Sequence, residues 1–174
     1  SNYTMVATAN VAKMFGEKTV LVDINKENLC MDPEDLKSKI TKKSKFLIYT
    51  SINGRAGYIN EIIKICRKNK IRFIEDAAHS IGSYYKGKHL GTFGIAGSFS
   101  FSMPKLITTG QGGAVVSNNL SLIKKLRKFK DFGRKVSGTD IHDSLGYNYK
   151  ITDMQSVLAQ GQLQNINNRV KKKE

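Results

Sequence analysis

Short apolar runs that alternate with amphipathic stretches constrain this chain most. "TVLVD" (Thr19–Asp23), "KFLIYTS" (Lys45–Ser51), "IRFIED" (Ile71–Asp76), "GSFSFS" (Gly97–Ser102) and "GAVVS" (Gly113–Ser117) are short, rich in β-branched or aromatic residues, and bounded by Gly, Asn or Lys, as strands are. Between them, "DPEDLKSKI" offers Asp32 as an N-cap with Pro33 at the first helical position, and "INEIIKICRKN" places Ile59, Ile62, Ile63 and Cys66 on one face. "NLSLIKKLRKF" then repeats Leu120, Ile123 and Leu126 at helical spacing. Strands alternating with helices predict an α/β fold, with a mainly parallel sheet flanked by helices. The 174 residues, 40% of them apolar, suffice for one domain with its own core.

Charge narrows the function less. The 29 basic and 14 acidic residues leave a net charge of +15, which attracts nucleotides, phosphates or nucleic acid alike. The lysines are scattered ("KKSK", "KKLRKFK", "VKKKE") without interleaved aromatic residues, so solvated helix faces explain them better than a nucleic-acid surface does. A non-catalytic basic domain that binds a polyanion is the alternative from another class. Cys30 and Cys66 lie far apart with no paired spacing, which indicates neither a disulfide framework nor a zinc site and fits a reducing compartment. No apolar run approaches the ~20 residues that span a bilayer, and no basic-then-apolar leader opens the chain. A cytoplasmic location without membrane contact is therefore expected. The opening serine and the helical pattern of the last residues, "NNRVKKKE", predict a piece of a longer protein.

In parallel sheets, ligands sit beyond the carboxyl ends of the strands. Period-two alternation puts Ser98, Ser100 and Ser102 on one face of the fourth run, and Phe99, Phe101 and Met103 on the other. Pro104 removes a ladder donor and ends that strand, so Lys105 leaves the sheet at a defined point. Lys105 is there either an ordinary surface lysine or, at a partly desolvated pocket, an amine able to form a Schiff base. Asp76 ends the third run, where a carboxylate caps a helix, binds Mg²⁺, or holds a protonated ring nitrogen. A pyridoxal phosphate (PLP) enzyme needs such a lysine and such a carboxylate together. Gly110, Gly112 and Gly113 match neither a Walker loop nor a dinucleotide fingerprint, and suit a tight return into the last strand.

The stretch "FIEDAAHSIGSYYKGKHLGTFGIAGSFSFSMPKLITTGQGGAVVSNN" resembles the sugar aminotransferases of the DegT/DnrJ/EryC1/StrS family. "YTMVATANVAKMFGEKTVLVDI" is similar to the family's opening segment, and "LGYNYKITDMQSVLAQGQLQNI" to its later helix start, so the resemblance covers nearly the whole chain. It implies a PLP enzyme whose large domain has the fold-type I (aspartate aminotransferase-like) architecture. Lys105 would be the Schiff-base lysine and, once freed, the base that moves a proton between substrate and cofactor. Asp76 would pair with the ring nitrogen, His79 with the ring's 3-hydroxyl, and Ser100 with the phosphate. Asn148 would reach the phosphate of a neighbouring subunit, which makes a homodimer part of the expectation; residue by residue it otherwise reads as a turn asparagine.

Two positions depart from the family pattern. Met5 stands where an aromatic residue usually covers the cofactor ring, and Lys150 stands where arginine is common, with the loss of bidentate recognition. The family's upstream Gly-Thr segment and C-terminal small domain have no counterpart, so residues 1–174 are expected to form a partial PLP-binding large domain. The "KLITTGQGG" form is most similar to perosamine synthase-like members. The implied activity moves an amino group from glutamate, which becomes 2-oxoglutarate, to C4 of a nucleotide-linked keto-deoxy sugar. The alternatives within PLP chemistry are a sugar dehydratase, whose members carry histidine at the lysine position, and a PLP-binding regulator.

Overall fold

The structure, a computed structural model, describes residues 1–173. Helices α1 (Val6–Met14) and α2 (Pro33–Lys39) precede β1 (Phe46–Thr50), and α3 (Ile59–Lys68) leads into β2 (Arg72–Asp76). A hairpin of β3 (Tyr84–Tyr85) and β4 (Lys88–His89) precedes β5 (Ala96–Ser100) and β6 (Gly113–Val116). Helices α4 (Leu120–Lys130), α5 (Asp153–Gln164) and α6 (Ile166–Lys171) follow. Four of the strands make one sheet in the order β1-β2-β5-β6. The first three run parallel, with Thr50 opposite Asp76 and Asp76 opposite Ser98, so their carboxyl ends stand level at one edge. Strand β6 returns antiparallel along β5.

The helical periodicities account for the core on one side. Asp32 caps α2, its Oδ1 accepting from the N–H groups of Glu34 at 2.7 Å and Asp35 at 3.0 Å. In α3, Ile59, Ile62, Ile63 and Cys66 are buried as the spacing predicts, with Ile65 beside them, and they join Leu47, Tyr49 and Phe73 in one cluster. Each fully buried isoleucine of that face contributes about 1.5–3 kcal/mol. Tyr49, also fully buried, donates its hydroxyl to the Ala56 carbonyl at 2.7 Å. Helix α4 forms with its predicted spacing, but none of its residues is buried.

The expected strand at Thr19–Asp23 does not form. Val20 and Leu21 are 54% and 51% exposed, and only Val22 is buried. No strand of the described residues lies alongside the run; the Asn2 N–H donates to the Val22 carbonyl, and an isolated bridge joins Ile24 to Met31. A β-branched run without a ladder neighbour lacks the repeated pairing of a sheet, so propensity alone does not make it a strand. The run Gly97–Ser102 becomes strand only to Ser100, because the chain there turns toward Lys105.

Alternation along β2 sends Phe73 and Glu75 to one face and Ile74 and Asp76 to the other. Glu75 is fully buried and accepts from three backbone N–H groups, those of Gly91 at 2.6 Å, Phe93 at 2.5 Å and Gly94 at 2.8 Å. A carboxylate with that many donors is the hub that fixes the loop entering β5. The loop lies so close to the sheet that a Cβ on Gly97 would overlap the Gly91 carbonyl, so glycine is required by close approach there.

Candidate functional site

The level strand ends bring together most of the residues singled out in the sequence. A cavity of about 770 Å³ opens beyond them, and Asn53, His79, Ser100 and Lys105 are among the residues that line it. That volume is typical of small-molecule sites. After β5 the chain turns over Ser102, whose carbonyl accepts from the Lys105 N–H at 3.1 Å. The half-buried Lys105 therefore starts from a fixed backbone beside Ser100. The Ser100 and Ser102 hydroxyls stand 3.0 Å apart, two alternating positions of one strand face brought into contact as the strand ends.

Asp76 is half-buried at the end of β2, adjoining the Ala78–His79 segment of the cavity wall. Its Oδ1 accepts from the Ala78 N–H at 3.2 Å, and its Oδ2 accepts from the Thr8 hydroxyl at 2.6 Å. Thr8 belongs to a short chain of hydroxyls, with Thr4 3.4 Å away and Thr4 in turn 3.1 Å from Thr50 of β1. The carboxylate is thus oriented by two elements. Neither threonine was singled out in the sequence; Thr8 lies in the first turn of α1 and Thr4 just before its N-cap Met5.

His79 occupies the cavity lip. Its Nδ1 accepts from the Asn53 N–H at 3.3 Å, which in the neutral ring leaves the proton on Nε2. Loss of hydration at the wall and then the positive charge of Lys105 lower its pKa, against the opposing pull of Asp76. The ring is accordingly neutral at neutral pH and presents one N–H donor. Asn53, which sets that tautomer, has the left-handed backbone φ 50°, ψ 34° inside the short turn Ile52–Gly54 that follows β1. Backbone strain of this kind collects at ligand sites. Its only sequence signal is the Asn-Gly pair in "SINGR".

Met5 and Asn148 do not join this wall. Met5 is the residue preceding α1 and is 72% exposed, one turn from Thr8. Asn148 is exposed in the segment before α5, where it bridges to Asp131. Lys150 is committed within its own chain: its Nζ lies 3.0 Å from Asp131 Oδ1 and 4.1 Å above the Phe132 ring. That hydrogen bond is the main cause holding the Asp131 carboxyl below its ordinary pKa. Among the described residues no cluster of His, Cys, Asp and Glu has the makings of a metal site, and no helix is long and apolar enough to cross a membrane. Cys30 and Cys66 are both free thiols and buried.

Comparison with known proteins is consistent across the whole chain. The model of the DegT/DnrJ/EryC1/StrS aminotransferase family matches residues 1–174. A GDP-perosamine synthase of Vibrio cholerae is 36% identical over 171 residues, which cover 98% of this chain and 47% of that protein. Among solved structures, Helicobacter pylori PseC, an aminotransferase involved in the biosynthesis of pseudoaminic acid, superposes with a TM-score of 0.88 at 32% identity, over 94% of this chain and 44% of that one. The E. coli GDP-4-keto-6-deoxy-D-mannose-3-dehydratase with bound hydrated PLP gives a TM-score of 0.84 at 26% identity, over 94% of this chain and 46% of that one. The chain spans about half the length of the relatives it matches.

Proposed function

Because the chain belongs to the DegT/DnrJ/EryC1/StrS aminotransferase family, we propose that its protein transfers an amino group from glutamate to a nucleotide-linked keto-deoxy sugar, at C4. The family's aminotransferases are PLP-dependent. The donor set here fits that group: an amine and a neutral imidazole on one cavity wall, hydroxyls at the neighbouring strand end, and a carboxylate at the next. That convergence of Lys105, His79 and Ser100 on one cavity beside Asp76 is the observation that carries the reading. The likeness to a GDP-perosamine synthase supports the sugar class.

When bound, PLP supplies an electron sink for the substrate carbon. Lys105 would hold it covalently and, when released, carry a proton to and from the substrate carbon as a general base and acid. Asp76, oriented by Thr8 and the Ala78 N–H, would hold a proton on the ring nitrogen. His79 would donate from Nε2 to the ring's oxygen, and Ser100 would donate its hydroxyl to the phosphate. By the family resemblance, Met5 would cover the ring and Asn148 would serve the phosphate of a second copy in a homodimer. Residues 1–174 are then part of the PLP-binding large domain.

A sugar dehydratase is the competing outcome, since one structural relative carries that name. Lys105 in place of the histidine of that branch favours transamination. Glutamate added to the PLP-loaded protein separates the two. The expected result is loss of the near-visible cofactor band with stoichiometric release of 2-oxoglutarate, and an unchanged spectrum would overturn the assignment as an aminotransferase.

A further inference from the structure

The loop that carries Lys105 leaves the sheet at Phe101 and rejoins it at Gly112, and its middle has no strand neighbour to satisfy its backbone. Buried backbone groups must find partners somewhere. Here they find them on α5 and α6. The Gln162 carboxamide brackets the Thr108 peptide unit, Oε1 accepting from the Thr108 N–H at 3.1 Å and Nε2 donating to the Thr108 carbonyl at 2.6 Å. This reproduces with one side chain the paired bonds that a neighbouring strand would make. Gln155 Nε2 donates to the Gln111 carbonyl at 2.8 Å, and Arg169 Nη1 to the Leu106 carbonyl at 3.3 Å.

The spacing of the three is regular. Residues 155, 162 and 169 follow one another at two helical turns, so one stripe of polar side chains faces the loop along its length. Helix α6 borders the cavity, which Val170 lines together with Lys173 just past the helix end. Two anchors therefore frame Lys105: the Ser102 turn before it, and the α5–α6 stripe from Leu106 onward.

We infer that Gln162 is a positioning residue for Lys105, fixing the loop three residues beyond the amine so that the amine stays at the cavity wall. The inference rests on Lys105 being the residue that holds PLP. Its bonds go to backbone atoms, so no other side chain in the loop replaces them, and the effect is on placement rather than on chemistry.

The test uses the full chain with PLP as the probe, reading the dissociation constant by absorbance and the rate of borohydride fixation at Lys105 by peptide mapping. Gln162→Leu, which keeps the bulk and removes both bonds, is expected to weaken PLP binding and slow fixation about tenfold, with little change in the melting of the PLP-free protein. Gln162→Glu keeps the acceptor but sets a carboxylate against the Thr108 carbonyl. It should match the leucine variant at about pH 8 and recover toward the wild type, compared at equal pH, as the carboxyl takes up a proton toward about pH 5. A purely structural contact would show no such recovery. Unchanged affinity and fixation in Gln162→Leu, or an equal deficit of Gln162→Glu at both pH values, overturns the inference. Should the leucine variant fail to fold, the pH response of Gln162→Glu decides alone. A wild type without any adduct on Lys105 overturns the proposed function and this inference together, whereas a normal wild-type adduct with indifferent variants overturns only the latter.

Discussion

Lys105→Ala protein is expected to lose the borohydride-fixed PLP adduct at residue 105 and the near-visible band of the bound cofactor, while keeping its fold. Among the described residues the Lys105 amine makes no hydrogen bond or ion pair, and the backbone bond from its N–H to Ser102 survives the substitution. A half-buried lysine without a partner contributes little to stability, so the melting curve should shift by no more than about 0.5 kcal/mol equivalent. The loss of cofactor attachment is complete because no other amine stands on the described cavity wall except that of Lys173 at its edge. Mapping the reduced adduct in wild type and variant checks this. Persistence of a stoichiometric band in the variant, or an adduct that maps to Lys173 in the wild type, would move the attachment point and sink the assignment.

The second large effect falls on stability. Glu75→Ala is expected to cost about 3 kcal/mol, because three N–H groups of residues 91–94, one buried and two part-buried, lose their acceptor at once. Glu75→Gln keeps the volume but offers one acceptor oxygen and turns an NH₂ toward donors, so it should cost about 2 kcal/mol. Urea denaturation of the three proteins gives these differences directly, at constant m if the compactness of both states is unchanged. A cost below about 1 kcal/mol for the alanine variant would mean that water replaces the carboxylate, and that Glu75 is not the hub of the loop. Glu75 and Asp76 thus divide the work of two adjacent carboxylates: one faces inward and secures the loop entering β5, the other stands at the strand end and accepts from Thr8 and the Ala78 N–H.

Much of this was legible in the sequence, and what was not has identifiable causes. Strands β1, β2, β5 and β6, the cap at Asp32 and the buried face of α3 follow from period-two and period-3.6 patterns, which are local. The run Thr19–Asp23 has the same composition and is not a strand, because a ladder is a property of two segments and a sequence window shows one. Lys105, Ser100, Asp76 and His79 converge because each stands at or just past a strand end, the one place where topology turns separate motifs into neighbours. Alternation with Phe73 points Glu75 inward, but its partners are backbone atoms that carry no sequence identity. The same holds for Gln162, whose target is a peptide unit, and for Asn53, whose N–H selects the tautomer of His79.

The bracket that Gln162 places on Thr108 joins residues 54 positions apart. A ribosome adding about 5–20 residues per second makes Lys105 roughly 3 to 11 seconds before the side chain that braces its loop. The sheet, the Glu75 hub and the α3 core are all encoded before then. The nascent chain consequently has a period in which its strand ends are in place but the loop of Lys105 is unbraced, and the cavity wall is completed only when α5 and α6 dock. Bracing of the lysine loop thus lags the sheet and the α3 core by that interval, because its partner is encoded 54 residues downstream.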